Sequence, residues 1–236
     1  TGRIAVLEAL PALDEPDRRL FKVLAVNYSG LADLAVPSWI LCAGLVRIGG
    51  MLAMVVPDTW LSRDYALVIK YLLLRWFRIL YIVEDSDAVW FPDALVRTTL
   101  LVAQRVPRRA SAFDWNDEEF LRLRLAGKAT DERSVVGRMF PRSRCAEHEF
   151  ARLVSRWFRQ KTSHHSDFVT AERIKLKDFS LNARHTCLAQ PWFASLEDGA
   201  ARQGDINPGA PLAPELAAWL GKSSDCTSFT VLEDLG

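Results

Sequence analysis

An open α/β sheet followed by a mainly helical region is the fold class that this sequence predicts, and three observations predict it. The first is "MLAMVVP" (51–57), a continuous apolar run of strand length set directly after the helix-stopping pair Gly49-Gly50. The second is the order around it: helix, glycine pair, strand, helix, strand, short loop, strand, which belongs to one side of such a sheet. The third is composition. The 236 residues are half hydrophobic and a quarter charged, with a net charge of +1, as in ordinary soluble globular proteins of one large domain or two small ones.

Taken in order, residues 1–30 read as loop, with Pro11, Pro16 and a polar "DEPDRR" run. From Leu31 to Val46 the apolar spacing predicts a helix, with Pro37 tolerated in its first turn. The run 51–57 predicts a strand buried on both faces. Ser62 is a candidate cap for a helix over "RDYALVIKYLLLRWF", and Asp64 would sit favourably in its first turn. "RILYIV" (78–83) and "LVRTTLLVAQ" (95–104) predict two further strands. Their short connection rules out a parallel crossover, so the two are expected to be antiparallel neighbours. After Pro107, residues 113–126, 145–162 and 211–220 read as helices. The expected division is therefore 1–106 and 107–236.

The charge is uneven. Residues 1–96 carry 9 Lys/Arg against 11 Asp/Glu, residues 97–175 carry 17 against 10, and residues 176–236 carry 4 against 8. The middle excess, nearly all Arg, is read either as solvated helix faces or as a surface for an anionic partner such as nucleic acid. Cys42, Cys145, Cys187 and Cys226 are far apart with no CxxC pairing, and no signal peptide is evident, which predicts a reducing, cytoplasmic setting. The apolar runs are too short and too interrupted by charge to predict a membrane span. A zinc site drawn from "CAEH" (145–148) and His164-His165 lacks the paired spacings of known ones. There is no G-x-S-x-G and no phosphate loop. The opening at Thr1 without Met and the closing "SFTVLEDLG" suggest a piece of something longer.

One loop stands out. Between the last two predicted strands sit Trp90, Phe91 and Pro92, two large aromatics where loops usually carry small, polar residues. They either fold back to cap the core or form a platform for something flat.

The stretch "LADLAVPSWILCAGLVRIGGMLAMVVPDTWLSRDYALVIKYLLLRWFRILYIVED…WFPDALVRTTLLVAQ" resembles the second half of the catalytic domain of N6-adenine DNA methyltransferases of the restriction–modification type. The matching pieces are Gly49-Gly50, the segment Leu52–Leu61, Phe91-Pro92, and Val96, Thr98 and Leu100. The resemblance covers about residues 31–105 and implies a partial Rossmann-like sheet. The family's glycine-rich "DxxxGxG" cofactor loop and its "NPPY" motif are absent, and no catalytic residue is assigned within this chain. The resemblance implies S-adenosylmethionine as methyl donor, DNA as substrate, a cofactor-binding half upstream and a target-recognition domain downstream.

Methylating adenine N6 requires the base to leave the stack, and in the family an aromatic at the "FP" position covers one face of it. Here that position is Phe91, with Pro92 and Trp90 beside it. Asp33 and Ser38 fall where the family's helix edge approaches the cofactor's adenine. Arg105, Arg108 and Arg109 are candidates for the DNA backbone. Two other readings remain: a non-catalytic nucleic-acid-binding or interaction module with the same sheet, and a methyltransferase of RNA or of cytosine N4.

Overall fold

The computed structural model describes residues 13–27, 35–63, 66–87, 90–91, 96–113, 117–126 and 135–180, together with Phe193 and Leu196. Helix α1 spans Glu15–Asn27 and α2 spans Ala35–Leu45, followed by strand β1 (Met51–Pro57) and a short 3-10 turn (Asp58–Leu61). Then come α3 (Leu67–Trp76), β2 (Phe77–Asp85), β3 (Thr98–Arg105), β4 (Glu119–Leu125), α4 (Val135–Met139), α5 (Ala146–Gln160), β5 (His164–His165) and β6 (Val169–Lys175). All six strands form one mixed sheet in the order β1-β3-β2-β4-β6-β5. The α/β class and the strands expected at 51–57, 78–83 and 95–104 are present.

Strand β3 lies antiparallel between β1 and β2, so the expected antiparallel β2–β3 pair is found and β1 and β2 point the same way. Strand β4 is parallel to β2, and β6 is antiparallel to β4. The glycine pair makes the turn into β1. Gly49 has φ +83°, the left-handed region that favours glycine, and a Cβ on Gly50 would lie 2.9 Å from the Arg47 carbonyl oxygen. Arg105 N–H donates to the Gly50 carbonyl at 2.8 Å, which starts the β1–β3 ladder.

Alternating residues feed two cores on opposite faces of the sheet. Leu101, Ala103 and Phe120 join α1, α2 and α3 on the first face. Leu121, Leu123 and Leu125 join Val154 and Trp157 of α5 on the second. Helix α3 is buried nearly all round, with Trp76 and Tyr71 deep in the first core.

Four local expectations are corrected. Residues 15–27, read as loop, form α1: Asp14 Oδ1 accepts the Asp17 N–H at 2.7 Å as an N-terminal cap, and Pro16 falls in the first turn, where proline is tolerated. Residues 119–125, read within a helix, form β4, because Leu121, Leu123 and Leu125 alternate with Arg122 and Arg124. Strand β1 is not buried on both faces: Leu52 and Val56 are buried, whereas Met51 and Val55 are exposed, since β1 is an edge strand and no described residues cover its second face. Ser62 closes the 3-10 turn rather than starting α3, whose first flanking residue is Ala66 with no side-chain cap. The helix expected over 31–46 is found as α2, and that over 145–162 as α5. Asp64 and the stretch 211–220 lie outside the described residues. The described residues after Pro107 contribute β4, β5 and β6 to the sheet as well as α4 and α5.

Candidate functional site

The carboxyl ends of β1, β2 and β4 point to one rim of the sheet, where ligands usually bind in α/β folds. Backbone hydrogen bonds fix that rim. Asp58 N–H donates to the Arg97 carbonyl at 2.9 Å, joining the end of β1 to the approach of β3. Ser86 N–H donates to the Leu125 carbonyl at 3.1 Å, joining the ends of β2 and β4.

The aromatic loop leaves from this rim. Trp90 N–H donates to Asp85 Oδ2 at 2.8 Å, so the last residue of β2 holds the loop's backbone. The Trp90 side chain packs against the second core. Its neighbour Phe91 is 49% exposed, unlike the other described phenylalanines, which are buried or partly buried. The two adjacent aromatics therefore divide the roles that the sequence left open: Trp90 anchors, and Phe91 presents its ring to solvent. Pro92 lies outside the described residues.

Beside the loop is a cavity of about 290 Å³, lined among others by Asp58, Asp85, Arg97, Thr98, Arg122 and Arg124. Glu84 accepts hydrogen bonds from Arg122 Nε and Nη2, the latter at 2.9 Å, and Arg124 Nε approaches it at 3.7 Å. Asp85 is buried, and its Oδ1 has no partner among the described residues, an arrangement that costs free energy unless a donor arrives. A second cavity of about 310 Å³ lies between Leu61, Ile82, Phe120, Ile174 and Phe179 on the first face. Among the described residues the rim holds aromatic area, acceptors and cations.

Ser38 and the three arginine candidates line neither cavity. Trp60 is buried, stacks obliquely on Trp39 at 5.4 Å and donates to Thr99 Oγ1 at 2.8 Å, so it packs under the rim. Ser38 is exposed on α2 and lines neither cavity, and Asp33 lies outside the described residues. Nε1 of the neighbouring Trp39 is buried with no hydrogen-bond partner among the described residues.

The three arginine candidates are engaged inside the chain. Arg105 is 2% exposed, and its Nη2 meets Asp17 Oδ2 at 2.7 Å. The rings of Phe21, Trp76 and Phe77 surround its guanidinium at 5.5–5.8 Å. Burial pushes its pKa down from the ordinary arginine value, against the pull of Asp17 and Asp14. A phosphate cannot reach it in this arrangement. Arg109 donates to the Leu74 and Phe77 carbonyls, both at 2.7 Å, closing the end of α3, and pairs with Glu118 at 2.8 Å. Arg108 pairs with Asp17 at 3.2 Å and keeps a third of its side chain exposed.

Among the described residues no group of His, Cys, Asp and Glu could hold a metal. Cys145 and His148 are exposed, and His164 stacks on Trp157 at 4.5 Å. No described helix is long and apolar enough to cross a membrane.

Compared with models of known protein families and with curated proteins, the chain matches none. Among solved structures it is similar to one from a study of the assembly and conformational transition of a type I restriction–modification system, at 17% identity and a TM-score of 0.41 over 80% of this chain and 36% of that one. It is also similar to the type IIG restriction endonuclease BpuSI, at 14% identity and a TM-score of 0.44 over 90% of this chain and 26% of that one. A third is a type I methyltransferase subunit from Streptococcus thermophilus, at 11% identity and a TM-score of 0.38 over 64% and 27%. The chain thus spans between about a quarter and a third of these proteins' length.

Proposed function

We propose that this chain is part of a DNA methyltransferase that transfers a methyl group from S-adenosylmethionine to adenine N6, within a restriction–modification or phage-defence system. The observation that carries the proposal is Phe91, an exposed ring held at the carboxyl rim by the Asp85–Trp90 hydrogen bond, at the position matching the family's "FP". Its part is to stack on one face of the extruded base. The rest of the base pocket and the donor site belong to residues other than those described. The edge of β1 is where a cofactor-binding half would continue the sheet, with β1 to β6 together forming this chain's part of it. Support for this reading is the apolar outer side of β1, which has no pairing strand among the described residues.

The test is Phe91→Ala beside Phe91→Trp in the complete enzyme. Stacking of a base is worth roughly 1–3 kcal/mol, so the alanine variant should lose 2-aminopurine fluorescence at the target position while its melting temperature changes little. The tryptophan variant should keep both, because any flat π-face serves. A large fall in melting temperature with normal base-flipping fluorescence would return Phe91 to the core.

A further inference from the structure

We propose that the outward face of α5, carrying Arg152, Arg156 and Arg159, is a docking surface for the phosphate backbone of double-stranded DNA. The inference rests on the reading that this chain acts on DNA, but it is carried by a different set of observations from those at Phe91.

Helix α5 buries Val154 and Trp157 against the sheet, with Phe150, Leu153 and Phe158 beside them. At 100° per residue, Arg152, Arg156 and Arg159 then project from the opposite side, and all three are exposed. None makes an ion pair among the described residues; the one polar contact is from Arg159 Nε to the Ser155 carbonyl at 3.3 Å. Exposed Arg142 and Arg144 precede the helix and exposed Lys161 follows it, also without ion pairs among the described residues. The helix's own acids, Glu147 and Glu149, are confined to its first turn, where they suit the helix dipole, and Glu149 accepts a hydrogen bond from Ser143 at 2.7 Å.

Six other arginines of the middle segment differ: Arg105, Arg108, Arg109, Arg122, Arg124 and Arg173 have carboxyl partners inside the fold. Much of the local excess of positive charge in 97–175 therefore lies at α5 and its two ends, with exposed Arg97 at the rim. Arg152 and Arg159 lie about 10 Å apart along the helix axis. Duplex DNA places one charge per roughly 1.7 Å of its axis, so such a row can neutralise several phosphates at once. The same packed cluster that seats α5 also holds Trp90, the neighbour of Phe91, so the charged face and the exposed ring belong to one layer on the sheet. A polyanion with flat bases fits that combination better than a lipid surface, which would call for apolar side chains among the cations.

The test uses the 236-residue chain and a fluorescent duplex of arbitrary sequence, followed by anisotropy across a salt series. Arg152→Gln/Arg156→Gln/Arg159→Gln should weaken binding and flatten the slope of log K against log salt by about two to three, near 0.9 per lost phosphate contact. A control with the same change in net charge, Arg47→Gln/Arg63→Gln/Arg78→Gln, alters three exposed arginines elsewhere and should leave the slope nearly unchanged. Melting curves for both variants should match the parent. An unchanged slope in the α5 variant, an equal loss in the control, absence of duplex binding by the parent, or preferential binding to phosphatidylserine vesicles would each overturn the proposal. These outcomes are independent of base-flipping fluorescence at Phe91, so either proposal can fail alone.

Discussion

Asp17 organises the first core as a single residue. Its Oδ1 accepts from Trp76 Nε1 at 2.8 Å and from Arg108, and its Oδ2 accepts from Arg105. A carboxyl on the first turn of α1 thereby ties that helix to the end of α3 and to the last residue of β3. Removing one partner of a buried pair leaves the other charge uncompensated, which costs more than the pair contributes when intact. Arg105→Met should therefore destabilise the chain by about 3 kcal/mol, read as a lower urea midpoint, and Asp17→Asn added to it should recover part of the loss. An Arg105→Met variant as stable as the parent would mean that the guanidinium is free for other work, DNA included. Arg105 itself shows why sequence alone misassigned it. It stands in a basic run with Arg108 and Arg109, and nothing local reveals the Asp17 that neutralises it from 88 residues away.

At the scale of elements, β1, α2, β2, β3 and α5 were legible because each has a clear period or a stop signal, such as Gly49-Gly50 before β1. Strand β4 was read within a helix, although Leu121, Leu123 and Leu125 alternating with Arg122 and Arg124 in "EFLRLRL" is the period of a strand. Helix α1 was hidden by two prolines and a polar start, although Asp14 followed by Leu20, Phe21 and Leu24 is a cap followed by a buried stripe. The burial of β1 could not be read at all, because a run of apolar residues does not say which neighbours are present. Met51 is 50% and Val55 55% exposed, with Leu45 and Ile48 exposed nearby, and one edge of the strand has no pairing strand among the described residues. An apolar edge of this kind invites self-pairing. Met51→Lys/Val55→Lys should shift the chain toward monomer in sedimentation velocity without lowering its melting temperature. Unchanged association would place the contact elsewhere.

For the molecule as a whole, the sheet sets what this chain does by itself. The rim carries the loop that presents Phe91 and an acceptor at Asp85, α5 carries cations without ion pairs among the described residues, and β1 is the edge of the described sheet. The aromatic loop was legible because its composition contradicts its position; the division between Trp90 and Phe91 was not, since it depends on which ring the second core receives. The candidate cofactor residues fare differently. Ser38 stands exposed on α2, and the glycine loop and "NPPY" of the resembled family do not occur in the sequence. A methyl donor needs a pocket that buries most of its surface, and neither described cavity brings Ser38 to its wall. The chain alone should therefore give no heat of binding with S-adenosylmethionine at micromolar to sub-millimolar concentration and no methyl transfer to DNA. On the proposed reading, a cofactor-binding half that continued the sheet beyond β1 should restore both together. Micromolar calorimetric binding by the isolated chain would refute this and direct attention back to α2.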